Sequence, residues 1–172
     1  MKISEVKPNE FSEFYANYLA LVPKETTLID GFNKDLKEVV DFFQHIPAIK
    51  LNYAYAKEKW RVKEVFQHLI DTERVFQYRC FCIARRDKTP LPGFEQDDYI
   101  APSQAKNKSI ESLVEEFKSV RLSFIALLNS LSNEDLQFLG NANGNTMSAR
   151  AAAFIVLGHN QWHINIIKER YL

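Results

Sequence analysis

Four long stretches of the chain repeat apolar residues at intervals of three and four, the period of an amphipathic α-helix. They predict four helices, over residues 27–46, 62–86, 109–131 and 148–170. Only five glycines and six prolines occur among the 172 residues. A β-sandwich or barrel, with a turn every 8–12 residues or so, normally contains more of both. The sequence therefore predicts an all-α protein.

The connection between the second and third predicted helices, 86–108, is long, contains Pro90, Pro92 and Pro102, and has no helical period. Antiparallel neighbours need only ~2–8 connecting residues. About twenty extended residues reach ~70 Å, further than the ~37 Å of the second helix. These lengths predict a four-helix bundle with one long crossover connection, in which helices two and three are parallel.

Residues 1–172 are expected to form a single domain, because the length suits one core and no low-complexity segment divides the chain. Residues 1–24 precede the first predicted helix. We expect them to form an N-terminal extension in which a short helix, near residues 10–21, packs on the outside of the bundle.

Charge and apolar runs exclude several classes of protein. Lys and Arg balance Asp and Glu at 22 each, which argues against a globally basic nucleic-acid binder. The basic cluster at 85–88 contains an acid and is typical of a solvated helix end. The longest apolar run, 151–157, is too short to cross a bilayer, which takes ~20 residues. We expect neither nucleic acid nor membrane as a partner.

The N-terminus and the cysteines favour a cytoplasmic protein. Residues 1–8 lack the apolar stretch of a secretory signal. Cys80 and Cys82 lie two apart in a predicted helix and point in different directions, so they cannot bridge each other. We expect one packed and one partly exposed thiol, in a reducing compartment.

The histidines carry the main chemical signal. His159 and His163 lie four apart in the fourth predicted helix, on its apolar face, where two imidazoles can bind one ion. The alternative is a pair of core histidines hydrogen-bonded to their neighbours. The H-E-x-x-H zinc motif is not matched, because Asn160 follows His159.

His68 favours the metal interpretation. It lies ~9 Å along the second predicted helix. In the crossover topology His159 and His163 lie ~14–20 Å from the same end of the bundle, closer than if helices two and four were parallel. Three histidines from two helices leave coordination positions open, which suits a reactive site. His45, near the end of the first helix, is assigned no chemistry.

Three acids of the second predicted helix differ in their expected roles. Glu64 and Asp71 lie away from the apolar stripe and are expected to face solvent or to form ion pairs. Glu73 lies in line with apolar residues, so its carboxylate needs a partner, for which Arg121 and Arg150 are the candidates. Glu73 either forms an ion pair between helices or acts as an acid that supports the metal site.

The acidic, aromatic part of the crossover connection, 90–99, leaves two interpretations open. In the crossover topology it returns towards the level of the histidines, so Phe94 or Tyr99 would border the mouth of a pocket. The alternative is a plain surface loop with solvated acids.

Several short segments resemble the DinB-like superfamily, and within it the YfiT-like metal-dependent hydrolases. The resemblance runs from about residue 25 to the C-terminus. Its main motifs are Lys59-Trp60, His68-Leu69-Ile70-Asp71-Thr72-Glu73-Arg74, Pro90-Leu91-Pro92-Gly93-Phe94, Ala142-Asn143-Gly144, Gly158-His159 with His163, and Arg170-Tyr171-Leu172.

The resemblance implies a four-helix bundle with a crossover and one divalent metal ion per chain, nickel or zinc, bound by His68, His159 and His163. It also implies a homodimer, as in many members. Two positions depart from the family pattern. Arg61 replaces the usual Ser or Thr cap of helix two, and Trp162 replaces the first histidine of a frequent pair, where its indole would narrow the site.

These features predict a metal-dependent hydrolase acting on a small-molecule substrate. The reacting group would be a water or thiol on the metal, with no catalytic side chain assigned beyond Glu73 as a supporting acid. Two alternatives stay open. One is a thiol S-transferase that uses a low-molecular-weight thiol, and the other is a non-catalytic, metal-stabilised module that dimerises or senses a ligand.

Overall fold

Four long helices dominate the structure, a computed structural model that describes residues 1–172. In chain order the elements are α1 (Ala16–Leu19), α2 (Leu28–Gln44), α3 (Ala48–Leu51), α4 (Val62–Ala84), α5 (Gln96–Ser103), α6 (Ile110–Asn129), α7 (Asn133–Gln137), β1 (Leu139–Ala142), β2 (Asn145–Ser148) and α8 (Ala149–Arg170). The long helices α2, α4, α6 and α8 match the four predicted ones to within two residues at each end. Every helix is too short or too polar to span a lipid bilayer.

The first turns of the long helices follow from local sequence. Ser109 and Ser148 cap α6 and α8, each accepting a hydrogen bond from a backbone N–H three residues on, at 3.1 and 3.0 Å. At the start of α4 the side chain of Arg61 makes no cap. Instead the Glu64 carboxylate accepts from the Arg61 backbone N–H at 2.7 Å, so an acid in the first turn satisfies the free donor.

The structure is mostly helical, as predicted, and departs from an all-α fold in one hairpin between 139 and 148. Strands β1 and β2 pair antiparallel across a two-residue turn at Asn143 and Gly144, whose φ angles are +53° and +75°. Asn-Gly is the pair that such a turn favours, because both residues must adopt left-handed conformations. The hairpin is too short to show a periodic pattern of its own.

Three smaller expectations are also corrected. The connection 86–108, expected to be free of helix, contains α5. The N-terminal helix expected near 10–21 is reduced to the single turn of α1, with 3₁₀ turns before it. Cys82 is buried like Cys80, at 4% exposure, rather than partly exposed.

The N-terminal segment is attached to the bundle at several points. The backbone N–H of Leu28 donates to the Met1 carbonyl at 3.0 Å. The buried Glu10 carboxylate accepts hydrogen bonds from Ser148 and from Arg150, both at 2.7 Å. Arg150 is therefore occupied by Glu10, which removes it as a partner of Glu73.

The apolar core consists of two clusters. Each long helix contributes one of its halves to the first cluster and the other half to the second. The larger contains the first halves of α2 and α8 and the second halves of α4 and α6. The smaller contains the other halves. Polar side chains near the middle of each long helix separate the two clusters.

Arg121 of α6 lies at the centre of these polar side chains and is fully buried. Its Nε and Nη2 donate to the two carboxylate oxygens of Glu73 in α4, at 2.6 and 2.9 Å. Its Nη1 lies 2.8 Å from the carboxylate of Asp35 in α2. The same carboxylate accepts from Asn160 of α8 at 2.8 Å. One side chain from each long helix thus joins a single network.

We expect replacement of Arg121 by Met to lower the free energy of unfolding by ~3–5 kcal/mol, because it leaves two carboxylates without their cation inside the bundle. Urea unfolding of Arg121→Met measures this. Arg74→Met is the matched control, since Arg74 is exposed in its pairs with Asp71 and Glu116 and such pairs contribute at most ~1 kcal/mol. Equal losses in the two variants would contradict a central role for Arg121.

Candidate metal centre

Three histidines converge where α4 faces α8. His159 and His163 lie one turn apart on α8, and His68 reaches them from α4. One ring nitrogen from each histidine lies within 4.8 Å of the corresponding nitrogens of the other two, and the Nε2 atoms of His68 and His159 are 3.0 Å apart. Nitrogen ligands of one tetrahedral ion are typically ~3.4 Å apart, given metal–nitrogen distances of ~2.0–2.1 Å. The structure thus brings together the three histidines that the sequence singled out.

Neighbouring side chains hold two of the imidazole rings in place. Thr72, one turn beyond His68 on α4, has its hydroxyl 3.4 Å from His68 Nδ1. The Trp60 ring lies 4.8 Å from the His68 ring, and the Trp60 carbonyl accepts from the Tyr171 hydroxyl at 2.9 Å. On the other side the edge of Tyr18 meets the His159 ring at 5.4 Å.

Burial keeps the imidazoles neutral. It lowers the pKa of His68 to about 3, with the nearby His163 adding to the effect. It lowers the pKa of His163 to about 4 and takes that of His159 well below its usual value. Neutral imidazoles have a free nitrogen lone pair, the form that binds a metal ion.

The donor set fits a divalent transition metal. Three imidazoles form the cluster and no carboxylate belongs to it, a combination that suits Zn²⁺, Ni²⁺, Cu²⁺ or Fe²⁺ rather than Mg²⁺ or Ca²⁺. The Nδ1 atom of His159 is buried and has no hydrogen-bond partner. The protein therefore leaves one nitrogen of this histidine unsatisfied. Three protein ligands leave at least one coordination position for another molecule.

A cavity of about 450 Å³ borders the centre. His159 and Thr72 line it next to the cluster, and apolar and aromatic walls come from α4, α8 and the N-terminal segment. Phe94, in the connection between α4 and α6, lines the cavity, as one of the two residues predicted to border a pocket. Tyr99 is not in the lining and instead contacts the Phe94 ring at 5.4 Å.

Other predicted residues lie outside the histidine cluster. Glu73 uses both carboxylate oxygens in its ion pair with Arg121. Glu64 and Asp71 form ion pairs with Arg61 and Arg74, which is one of the two roles expected of them. His45 is exposed, with its Nδ1 2.8 Å from the Asp41 carbonyl oxygen.

Tyr18 was missed from the sequence, and Gly158 is the signal that could have revealed it. A Cβ atom at Gly158 would overlap the backbone carbonyl of Tyr18. The glycine in mid-helix therefore lets α1 approach α8 closely, directly beside His159. The indole of Trp162 meets the ring of Tyr18 at 5.6 Å and does not line the cavity beside His159.

Fold and site together define a class: a helical-bundle protein with a three-histidine candidate metal centre beside a cavity. The chain belongs to the DinB superfamily, whose family model matches residues 32–167. No curated protein is a significant match to the sequence.

The fold is similar to that of YfiT from Bacillus subtilis, described as "a probable metal-dependent hydrolase with an unusual four-helix bundle topology". The two chains superpose with a TM-score of 0.74 over 86% of this chain and 90% of the other, at 15% sequence identity. At that identity the likeness establishes the fold.

We expect Gly158→Ala to destabilise the protein and to displace Tyr18 from His159. Ala normally stabilises a helix interior by ~1 kcal/mol relative to Gly, so a loss of stability would report the clash with the Tyr18 carbonyl. Thermal unfolding measures the stability, and hydrogen exchange of residues 10–22 measures the displacement. A variant that is more stable than the parent, with unchanged exchange, would contradict the close approach.

We expect the free energy of unfolding of the metal-free protein to fall as pH falls from about 7 to about 4. The unfolded chain protonates these imidazoles near pH 6.5, whereas folded His68 and His163 do so only near pH 3 and 4. The unfolded state therefore binds more protons in this range. Urea unfolding at several pH values should give a shallower dependence of the free energy of unfolding on pH for His68→Asn than for the parent protein. Equal slopes in His68→Asn and the parent would contradict the burial argument.

Proposed function

We propose that this protein is a metal-dependent hydrolase, with a divalent ion bound by His68, His159 and His163. The observation that carries the proposal is the convergence of three neutral imidazoles beside a cavity large enough for a small molecule. The description of YfiT as a probable metal-dependent hydrolase supports the reaction class.

We infer one ion per chain, Zn²⁺ or Ni²⁺. Imidazole nitrogen is a ligand that both ions favour, and the three histidines form one cluster. When bound, such an ion polarises an oxygen or sulfur atom of another molecule and lowers its pKa, which serves both hydrolysis and thiol transfer.

The side chains around the centre orient the ligands and limit water. If the Thr72 hydroxyl accepts the Nδ1 proton of His68, the Nε2 lone pair of His68 is directed at the cluster. Phe76, Ile155 and Tyr18 give the cavity apolar surface beside His159, which strengthens electrostatic interactions there by excluding water. We assign Glu73 to the ion pair with Arg121 rather than to proton transfer.

We also infer the bundle topology and the domain extent. Hydrogen bonds pair Gln67 with Glu116 and Gln77 with Ser123, so positions rise together along α4 and α6. This order supports parallel α4 and α6 joined by a crossover through α5. The bonds of Glu10 to Ser148 and Arg150 support including residues 1–24 in one domain, 1–172.

We expect the purified protein to bind one equivalent of Zn²⁺ or Ni²⁺, and His163→Ala to weaken binding at least ~100-fold, because it removes one of three ligands. Isothermal titration calorimetry of the full chain measures both. His45→Ala is the matched control, since it removes an exposed histidine outside the cluster. Equal affinities in the two variants would contradict the site.

The reaction class needs a separate assay of the metal-loaded protein. Release of a chromophore from aryl esters and amides, lost on chelation and in His163→Ala, would support the hydrolase. Turnover only when a low-molecular-weight thiol is supplied would overturn it in favour of the S-transferase. Metal binding that raises the melting temperature without turnover would favour a non-catalytic module. The homodimer and the cytoplasmic location stay predictions.

A further inference from the structure

Three arginines are buried in this protein, and one of them has no carboxylate partner. Arg121 pairs with Glu73 and Asp35, and Arg150 pairs with Glu10. Arg79 of α4 is 2% exposed, yet it forms no salt bridge with any acid of the chain. A buried cation without a counter-charge is costly, so this exception calls for a physical account.

The contacts of Arg79 offset only part of the free-energy cost of burying its charge. Its Nη2 donates to the Pro92 carbonyl at 2.9 Å, while its Nε is buried without any hydrogen-bond partner. The guanidinium lies over the rings of Phe76 and Phe94, at 5.0 and 6.0 Å from their centroids. Carbonyl and ring faces attract a cation, but they leave its full charge in place.

Arg79 lines the cavity that borders the candidate metal centre. Arg79 and His159 both border it, and Arg79 is the one Arg or Lys in its lining. The one acid of the lining is Glu95, an exposed side chain of the crossover connection that lies beyond salt-bridge distance of Arg79. The rest of the lining combines apolar side chains, among them Phe76 and Tyr18, with uncharged polar ones such as Asn143.

We propose that Arg79 binds a carboxylate group of the ligand that enters this cavity. The ligand would be a small acid with an apolar or aromatic middle, which packs on the walls while its other end reaches the histidines. The position of that other end rests on the proposed function. The carboxylate contact rests on Arg79 alone.

The charge of the cavity favours a carboxylate over a phosphate monoester. A phosphate carries a charge of about −1.5 to −2 at neutral pH and would meet a single guanidinium, with Glu95 on the same wall. A carboxylate carries one negative charge and matches the planar guanidinium fork.

Binding of three probes of similar size tests the proposal. They are 3-phenylpropionate, its uncharged amide 3-phenylpropionamide, and phenyl phosphate, titrated calorimetrically into metal-free and into Zn²⁺-loaded protein. We expect the carboxylate to bind at least about tenfold more tightly than the amide in both forms, because a charge-assisted contact is lost in the amide. We expect phenyl phosphate to bind more weakly than the carboxylate.

Two variants of Arg79 and one control test whether Arg79 is the residue that binds the carboxylate. Arg79→Gln should remove the preference for the carboxylate, and Arg79→Lys should keep the preference with reduced affinity, because the charge remains without the fork. Arg85→Gln removes the same charge from an exposed position just beyond α4, outside the cavity. It should leave the preference unchanged. If Arg79→Gln does not fold, the Arg79→Lys and Arg85→Gln titrations still decide the assignment.

The outcomes separate this proposal from the metal site. A preference that persists in Arg79→Gln, an affinity for the carboxylate that is unaltered in Arg79→Lys, or the absence of a preference in the parent protein would overturn it. A preference found only with Zn²⁺ bound would place the carboxylate on the metal and also overturn it. Failure of the protein to bind Zn²⁺, with the preference intact in the metal-free form, would refute the proposed hydrolase and leave the Arg79 contact standing.

Discussion

The ion pair of Arg121 with Glu73 and Asp35 sets the level at which the four long helices meet. Apolar side chains tolerate a shift of one helix along another, whereas a buried guanidinium with two carboxylates does not. Asn160 brings α8 to the same level through Asp35. His159 directly precedes Asn160 in the chain, and His68 lies five residues before Glu73 on α4. The register that satisfies the charges therefore also brings the histidines together.

Periodicity and spacing were sufficient to predict the helices and the three histidines, because both depend on short-range geometry. A 3.6-residue period determines which face of a helix is buried, and His159 and His163 share that face whatever the rest of the chain does. Glu73 was recognised as a charge in an apolar stripe that needs a partner. The choice of Arg121 over Arg150 depended on the N-terminal segment, where Glu10 occupies Arg150.

Of the cavity walls only Phe94 was predicted, because most of the lining comes from segments without a periodic pattern. Tyr18, Phe94 and Asn143 lie far apart in sequence and meet only after the N-terminal segment, the connection between α4 and α6 and the hairpin have packed on the bundle. Gly158 and the Asn143-Gly144 pair were visible local signals. Gly158 indicates a close approach and the Asn143-Gly144 pair indicates a turn, but neither identifies the residues that are contacted.

The histidines and much of the cavity wall belong to different parts of the chain, so substitutions can change one without the other. The three histidines belong to two central helices, whereas much of the lining belongs to peripheral segments around residues 12–18, 94–96 and 143–145. Substitutions in these segments can change the size and polarity of the cavity while the buried charge network and the histidines stay intact. The surface that a bound molecule would meet can therefore be altered without altering the residues that hold the centre together.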